Sequence, residues 1–305
     1  MSRVEFKSKG ITIVGNLYLP ASNAPNRKRA AIAIGHPMGG VKEQTAGLHA
    51  KILAENGFIA LTFDAAYQGE SGGEPRGLED PFQRAEDVRS AVTFLSIFPE
   101  VDPNRIGALG ICASGGYVPF AAQTDVRIKA VATISAADVG DLFREGMKGT
   151  AMQFNRESLK NTLQECGQAR IVEAKGESVP MRPLLPDSPE GVPDSVPTLF
   201  KEGSHYYRTP RAQHPRSINR LPVRSMDLIV NYSSFAFMDL ISPRPLLMIA
   251  GTDADTLYFS EEAVARAKEP KELYKVKGKT HIQLYDDVDE HKEKLVDFFV
   301  KTLAC

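Results

Sequence analysis

Arg105-Ile106-Gly107-Ala108-Leu109-Gly110-Ile111-Cys112-Ala113-Ser114-Gly115-Gly116 is the stretch that decides how this chain is read. Ile106 to Leu109 is an apolar run of the kind that forms a strand buried on both faces. A helical pattern covering Tyr117 to Ala122 follows the Gly-x-Cys-x-Ser-Gly-Gly turn. Strand, sharp turn and helix with one reactive side chain at the apex make a nucleophile elbow, here with cysteine where serine is usual. Gly110, Ser114 and Gly115 are the small residues such a turn demands, because the two backbones must pass close to each other. A cysteine buried only for packing has no need of those neighbours. Ser114 is the rival nucleophile, since Cys112-Ala113-Ser114-Gly115-Gly116 also reads as x-x-Ser-x-Gly. Register favours Cys112: with the strand starting at Ile106, the turn after Gly110 puts Cys112 at the apex and Ser114 just inside the helix.

Working outward, the same alternation of strand and helix recurs. Ile11 to Leu19 reads as an N-terminal strand paired with Val4-Glu5-Phe6. Ala30 to Gly35 and Phe58 to Phe63 are continuous apolar runs that flank a helical pattern from Glu43 to Asn56, stopped by Gly57. Asp80-Pro81-Phe82-Gln83 is a helix start with Asp as N-cap and Pro at the first position. Ile128 to Ile134, Pro245 to Ile249 and Leu273 to Val276 are further strands. Leu295, Phe298, Phe299 and Leu303 mark a closing amphipathic helix. These elements predict an α/β fold, a mostly parallel central sheet with helices on both faces.

From about Gly140 to Pro243 the alternation stops. Asn155 to Ala174 reads as a helix pair, Pro180 to Pro197 as an irregular excursion and Met226 to Leu240 as a helix. The expectation is a core domain of residues 1–139 and 244–305, with a large cap inserted at 140–243; the alternative is a separate domain. Composition sets further bounds. The chain has 305 residues, 42% of them hydrophobic and 25% charged, with a net charge of -1. Such a balance favours neither nucleic acid nor an anionic membrane as a partner. Met1 to Lys7 lacks an apolar signal core, and no run reaches the roughly 18 apolar residues of a spanning helix. Cys112, Cys166 and Cys305 form neither a disulfide framework nor a metal site. A reducing, cytoplasmic setting is expected, with no cofactor and no metal.

The elbow needs an oxyanion hole, a base and an acid. Gly35-His36-Pro37-Met38-Gly39-Gly40 follows a strand and occupies the place of the loop that donates one backbone N–H to an oxyanion. Met38 and Ala113 are therefore the expected donors. Lys279-Thr280-His281 follows the last strand, which makes His281 the base; His291 reads as a surface residue. Gly251-Thr252-Asp253-Ala254-Asp255 ends the penultimate strand, so the acid is Asp255 or Asp253, with Asp255 better placed before the next helix. Nucleophile, acid, histidine is the chain order of α/β-hydrolases. A thiol at a helix N-terminus beside histidine is expected to rest as a thiolate–imidazolium pair. Tyr67, Tyr206, Tyr207 and Arg208 are candidates for substrate binding, while Asp64 reads as a loop-stabilising acceptor and His36 as part of the loop geometry.

His36-Pro37-Met38-Gly39-Gly40-Val41-Lys42-Glu43-Gln44-Thr45, Phe63 to Gly73, Gly110 to Tyr117 and, in the cap, Tyr206 to Arg211 resemble the dienelactone-hydrolase-like branch of the α/β-hydrolase superfamily. The resemblance implies an α/β-hydrolase fold and a Cys-His-Asp triad. It implies a small ester, lactone or thioester as substrate, or, by similarity to fungal polyketide transferases, transfer of an acyl chain from a carrier-bound thioester to an alcohol. An acyl-carrier protein and a second copy of the chain are the partners left open. A non-catalytic ligand-binding member of the fold is the remaining alternative. The cap of about 100 residues is the departure from true dienelactone hydrolases, which are smaller.

Overall fold

The computed structural model describes residues 1–305. The chain runs β1 (Ser2–Ser8), β2 (Ile11–Tyr18), β3 (Ala31–Gly35), α1 (Thr45–Glu55), β4 (Ile59–Phe63), α2 (Pro81–Ile97), β5 (Ile106–Ile111), α3 (Ser114–Thr124) and β6 (Ala130–Ile134). After β6 come α4 (Val139–Glu145), α5 (Arg156–Ala174), β7 (Met181–Pro183), α6 (Thr198–Arg208), β8 (Arg220–Pro222) and α7 (Ser225–Ile229). The sheet resumes with β9 (Leu246–Gly251), α8 (Leu257–Arg266), β10 (Lys271–Val276) and the closing α9 (Lys292–Phe299). Eight strands form one sheet in the order β1-β2-β4-β3-β5-β6-β9-β10. Only the β1–β2 and β2–β4 pairings are antiparallel. All five residues of β3, β4 and β6 and all six of β5 and β9 are buried, as expected of parallel strands covered on both faces. Asp80 caps α2 by accepting from the Phe82 and Gln83 N–H groups, with Pro81 at the first helical position.

The segment between β6 and β9 adds no strand to this sheet. It forms its own two-stranded ribbon, β7 with β8. Cys166, Leu221, Met226, Ile229 and Tyr232 pack there against Ala113, Tyr117 and Val139, so the inserted segment rests directly on the elbow and α3. No helix is long and apolar enough to cross a membrane.

Four expectations are corrected. Asn155 to Ala174 is one helix rather than a pair; Asn155 and Ser158 cap its start reciprocally, and nothing breaks it before Lys175. Met226 to Leu240 is not a continuous helix. The Arg144 guanidinium takes the carbonyls of Val230 and Tyr232, and Asp138 accepts the Ser234 N–H, so these backbone groups are drawn out of a helical ladder. The proline-rich excursion contains β7, whose partner lies 37 residues further on, beyond the reach of a local pattern. His291 is buried rather than exposed, with its ring stacked on His49 at 5.6 Å.

The tightest point is where β5 meets α3. A Cβ on Gly110 would lie 2.0 Å from the Ser114 carbonyl oxygen, and one on Gly115 would lie 2.6 Å from the Ala136 Cα. Gly110→Ala is expected to lower stability by about 3 kcal/mol or more, as overpacking against backbone. Chemical denaturation of the two proteins checks this; an unchanged midpoint would show that the crossing has slack.

Candidate active site

Cys112 sits at φ +57°, in the left-handed region that a non-glycine residue enters at a cost. Local hydrogen bonds hold it there. Its N–H donates to Ile134, and its carbonyl accepts from Gly115 at 2.8 Å and Ala137 at 3.0 Å. This is the elbow expected from sequence. The Ser114 side chain points elsewhere: it is buried in the first turn of α3 and donates to the His36 carbonyl at 2.6 Å. That bond ties the helix to the loop after β3.

The loop is clamped from a second side. Arg84 donates to the His36 carbonyl at 2.9 Å and to the imidazole Nε2 at 3.0 Å, while its own charge is met by buried Glu79 at 3.1 Å. Glu79 in turn accepts from the Tyr117 hydroxyl at 2.8 Å. His36 holds Pro37 O through Nδ1 at 2.7 Å and the Ala65 N–H through Nε2 at 3.1 Å. Burial and the adjacent Arg84 keep this imidazole neutral. The clamp fixes Met38 opposite the elbow. The N–H groups of Met38 and Ala113 donate to no backbone carbonyl, and both work to lower the Cys112 pKa. Two unspent N–H groups converging on a nucleophile have the geometry of an oxyanion hole.

Histidine and acid are arranged differently from expectation. His281 is 1% exposed. Its Nδ1 meets the Thr256 hydroxyl at 2.6 Å, and its Nε2 meets the Tyr285 hydroxyl at 3.2 Å. Neither candidate acid reaches the ring. Asp253 is exposed and accepts from the Thr252 hydroxyl. The Asp255 carboxylate accepts from the Leu199 N–H at 3.0 Å, at the start of α6, where Pro197 offers no side-chain cap. Its other oxygen is buried without a partner, and burial pushes its pKa up. The acid expected on the histidine thus serves as the cap of a helix in the inserted segment.

Charge is scarce around Cys112. Burial alone takes His281 down to about 3, and burial pushes the Cys112 thiol up despite the donors around it. Both directions run against the expected resting thiolate–imidazolium pair, because two charges without a carboxylate partner are costly in an apolar site.

Cys112 opens into a narrow cavity lined by Met38, Ala113, Leu142, Phe143, Tyr207, Tyr285 and other apolar residues. The room it leaves for the centres of water-sized molecules is about 50 Å³. Phe143, Leu184, Leu185 and Phe200 form its outer wall and also line a wider cleft of about 540 Å³ on the far side. Of the proposed substrate-binding residues only Tyr207 lines the cavity. Tyr206 packs behind it, edge-on at 4.9 Å, under Arg211. Arg208 turns to the Ser217 carbonyl, and the Tyr67 ring lies against Gly73 of its own loop. Asp64 accepts from the backbone and ammonium of buried Lys42 and from the Glu70 N–H, as a loop anchor. Sequence reading missed Thr256 and Tyr285. Tyr285 stands four residues after His281, a spacing that brings side chains together in a helical turn.

The family model for the dienelactone hydrolase family matches residues 15–136. The uncharacterized protein YcjY of Escherichia coli is 36% identical over 297 residues, covering 96% of this chain and 95% of that protein. The crystal structure of hypothetical protein PA2218 from Pseudomonas aeruginosa superposes with a TM-score of 0.91 at 38% identity, covering 99% of this chain and 93% of the other. The α/β-hydrolase GrgF from Penicillium sp., described as a polyketide transferase, superposes with a TM-score of 0.83 at 25% identity, over 100% of this chain and 99% of the other.

Iodoacetamide labelling of Cys112, followed on its peptide by mass spectrometry, is expected to show a midpoint above the roughly 8.5 of a free thiol. Attack requires thiolate, so labelling should climb with pH and be slow at neutrality. A midpoint below that value would establish an ion pair at rest and overturn the neutral site.

Proposed function

As the chain belongs to the dienelactone hydrolase family of α/β-hydrolases, we propose that it cleaves ester, lactone or thioester bonds of uncharged, apolar acyl groups through an acyl-enzyme on Cys112. The observation that carries this reading is the sulfur at the apex of a left-handed elbow, facing the two unspent N–H groups of Met38 and Ala113. The sulfur forms a bond to the carbonyl carbon as the thiol proton passes to the His281 side of the site. The carbonyl π pair moves onto oxygen, where the two N–H groups stabilise the developing charge. Collapse breaks the bond to the leaving group, which departs with that proton. Water, activated by the same imidazole, then attacks the acyl-enzyme and frees the acid. Thr256 keeps the imidazole oriented through Nδ1, the task an aspartate performs in many triads.

The acyl group is read from the lining. No Lys, Arg, Asp or Glu borders the cavity, so a carboxylate on the substrate would be buried unpaired. The cavity is also too small for more than a short chain. A longer one would pass between Phe143, Leu184, Leu185 and Phe200 into the outer cleft, with residues 140–243 acting as a cap over the nucleophile. A second reading, transfer of the acyl group to an alcohol, draws support from the dry lining, which favours an acceptor larger and less polar than water, and from the likeness to the polyketide transferase.

Turnover of p-nitrophenyl and thioester substrates tests the assignment. Cys112→Ala is expected to abolish it. Ser114→Ala should leave it within a few-fold and cost about 1 kcal/mol of stability, the worth of one hydrogen bond. The reverse outcome would move the nucleophile to Ser114.

A butyryl ester should be turned over at least about tenfold better in kcat/KM than the hemisuccinyl ester that carries a carboxylate, the penalty of an unpaired buried charge. Equal rates would remove the apolar reading. Product analysis with and without a long-chain alcohol separates hydrolysis from transfer.

A further inference from the structure

The geometry points to Tyr285 as a catalytic residue, its hydroxyl carrying the proton between the Cys112 thiol and His281. The inference rests on the acyl-enzyme reading of Cys112. No hydrogen bond joins the thiol to the imidazole. The Nε2 edge of His281 faces the Tyr285 hydroxyl at 3.2 Å, and donation from that same hydroxyl works to lower the Cys112 pKa against the larger upward push of burial. Cys112 and Tyr285 line the same cavity. The phenol therefore stands where base and nucleophile would otherwise meet.

Its position is built, not incidental. The Tyr285 carbonyl accepts from the Thr45 hydroxyl at 2.8 Å, and its ring packs edge-on against Tyr206 at 5.2 Å. The next residue, Asp286, is gripped by both arms of Arg211, at 2.8 and 2.6 Å. Tyr285 is 1% exposed, so bulk water does not compete for its hydroxyl. Burial keeps the phenol protonated well past neutrality, so it can donate toward Nε2 while accepting from sulfur.

The step balances. As sulfur bonds to the carbonyl carbon, the S–H bond breaks and its proton goes to the Tyr285 oxygen. The O–H proton of Tyr285 goes to His281 Nε2, whose Nδ1–H is held by Thr256. Tyrosine is neutral before and after. Imidazolium appears only as negative charge appears on the carbonyl oxygen, between the Met38 and Ala113 N–H groups. Collapse runs the relay backwards and delivers the proton to the leaving group.

Tyr285→Phe keeps the ring and removes the relay. It is expected to lower kcat/KM for a butyryl ester about 100-fold, the usual scale of a lost proton-transfer group, with the thermal midpoint and KM nearly unchanged. Two further readouts separate a relay from packing. The Cys112 alkylation midpoint should rise in Tyr285→Phe, because a donor to the thiolate is gone. His281→Ala combined with Tyr285→Phe should be no worse than His281→Ala alone, since both interrupt one path. Activity within twofold of wild type, an unmoved alkylation midpoint, or losses that multiply in the double variant would each overturn the relay. Turnover retained by Cys112→Ala would instead overturn the acyl-enzyme itself, and the alkylation profiles would still report whether the hydroxyl acts on the thiol.

Discussion

The approach of β5 to α3 is the constraint on which the site depends. The two backbones come so close that a single methyl group at Gly110 would meet the Ser114 carbonyl. With no room to turn gradually, the chain reverses through one residue in the left-handed region, and that residue is Cys112. The strain is met by hydrogen bonds from both flanks of the turn, so the sulfur is presented at a fixed point. Ser114, one residue past the turn, is then free to lock the facing loop through the His36 carbonyl. Cys112 and the N–H groups of Met38 and Ala113 are thus positioned by one crossing and the bond that follows from it.

Burial is the second organising influence, and it sets the chemistry. Arg84, whose charge is felt at Cys112, is matched by Glu79 and spent on the His36 loop. Around Cys112 and His281 the polar groups are hydroxyls and backbone amides. Such groups do not pull an ion pair into existence at rest. They stabilise charge where it develops, which is the efficient arrangement for a transition state richer in charge than the ground state.

The core of the fold was legible because parallel strands covered on both faces leave an unbroken apolar signature, as at Ala31–Gly35 and Ile59–Phe63, and because Asp80-Pro81 announces α2 in four residues. The elbow was legible because close backbone approach admits only small residues at 110, 114 and 115. The places of His281, Met38 and Ala113 around Cys112 followed from their order relative to those strands, while what each does chemically is the proposal made above. The inserted segment was harder. Its elements are set by partners distant in sequence, such as β7 on β8 or Arg144 on the carbonyls of Val230 and Tyr232, and no local period records them. His291 misled because a lone histidine near a closing helix looks like surface until His49 is seen against it. Arg208 and Tyr206 misled because aromatics beside a cation read alike in a pocket wall and in the packing behind one.

Asp255 shows the same limit at the site itself. Strand order places an acid there, and the chain does have one, yet backbone order says nothing about which way a carboxylate turns. Here the N-terminus of α6 lacks a cap of its own, and an unmet Leu199 N–H in a buried setting attracts the carboxylate more locally than the imidazole does. Thr256, the next residue, takes the place on Nδ1. The exchange has a physical logic. A carboxylate on Nδ1 would raise the basicity of His281 and favour a standing ion pair with the thiol. A hydroxyl orients the ring without doing so, and the acid is left to fasten the helix that carries Leu199 and Phe200 into the cavity wall. The residues that close the cavity and the hydroxyl that holds His281 are joined through adjacent positions, 255 and 256, so a displacement of α6 and a change in the imidazole's surroundings share one short stretch of backbone.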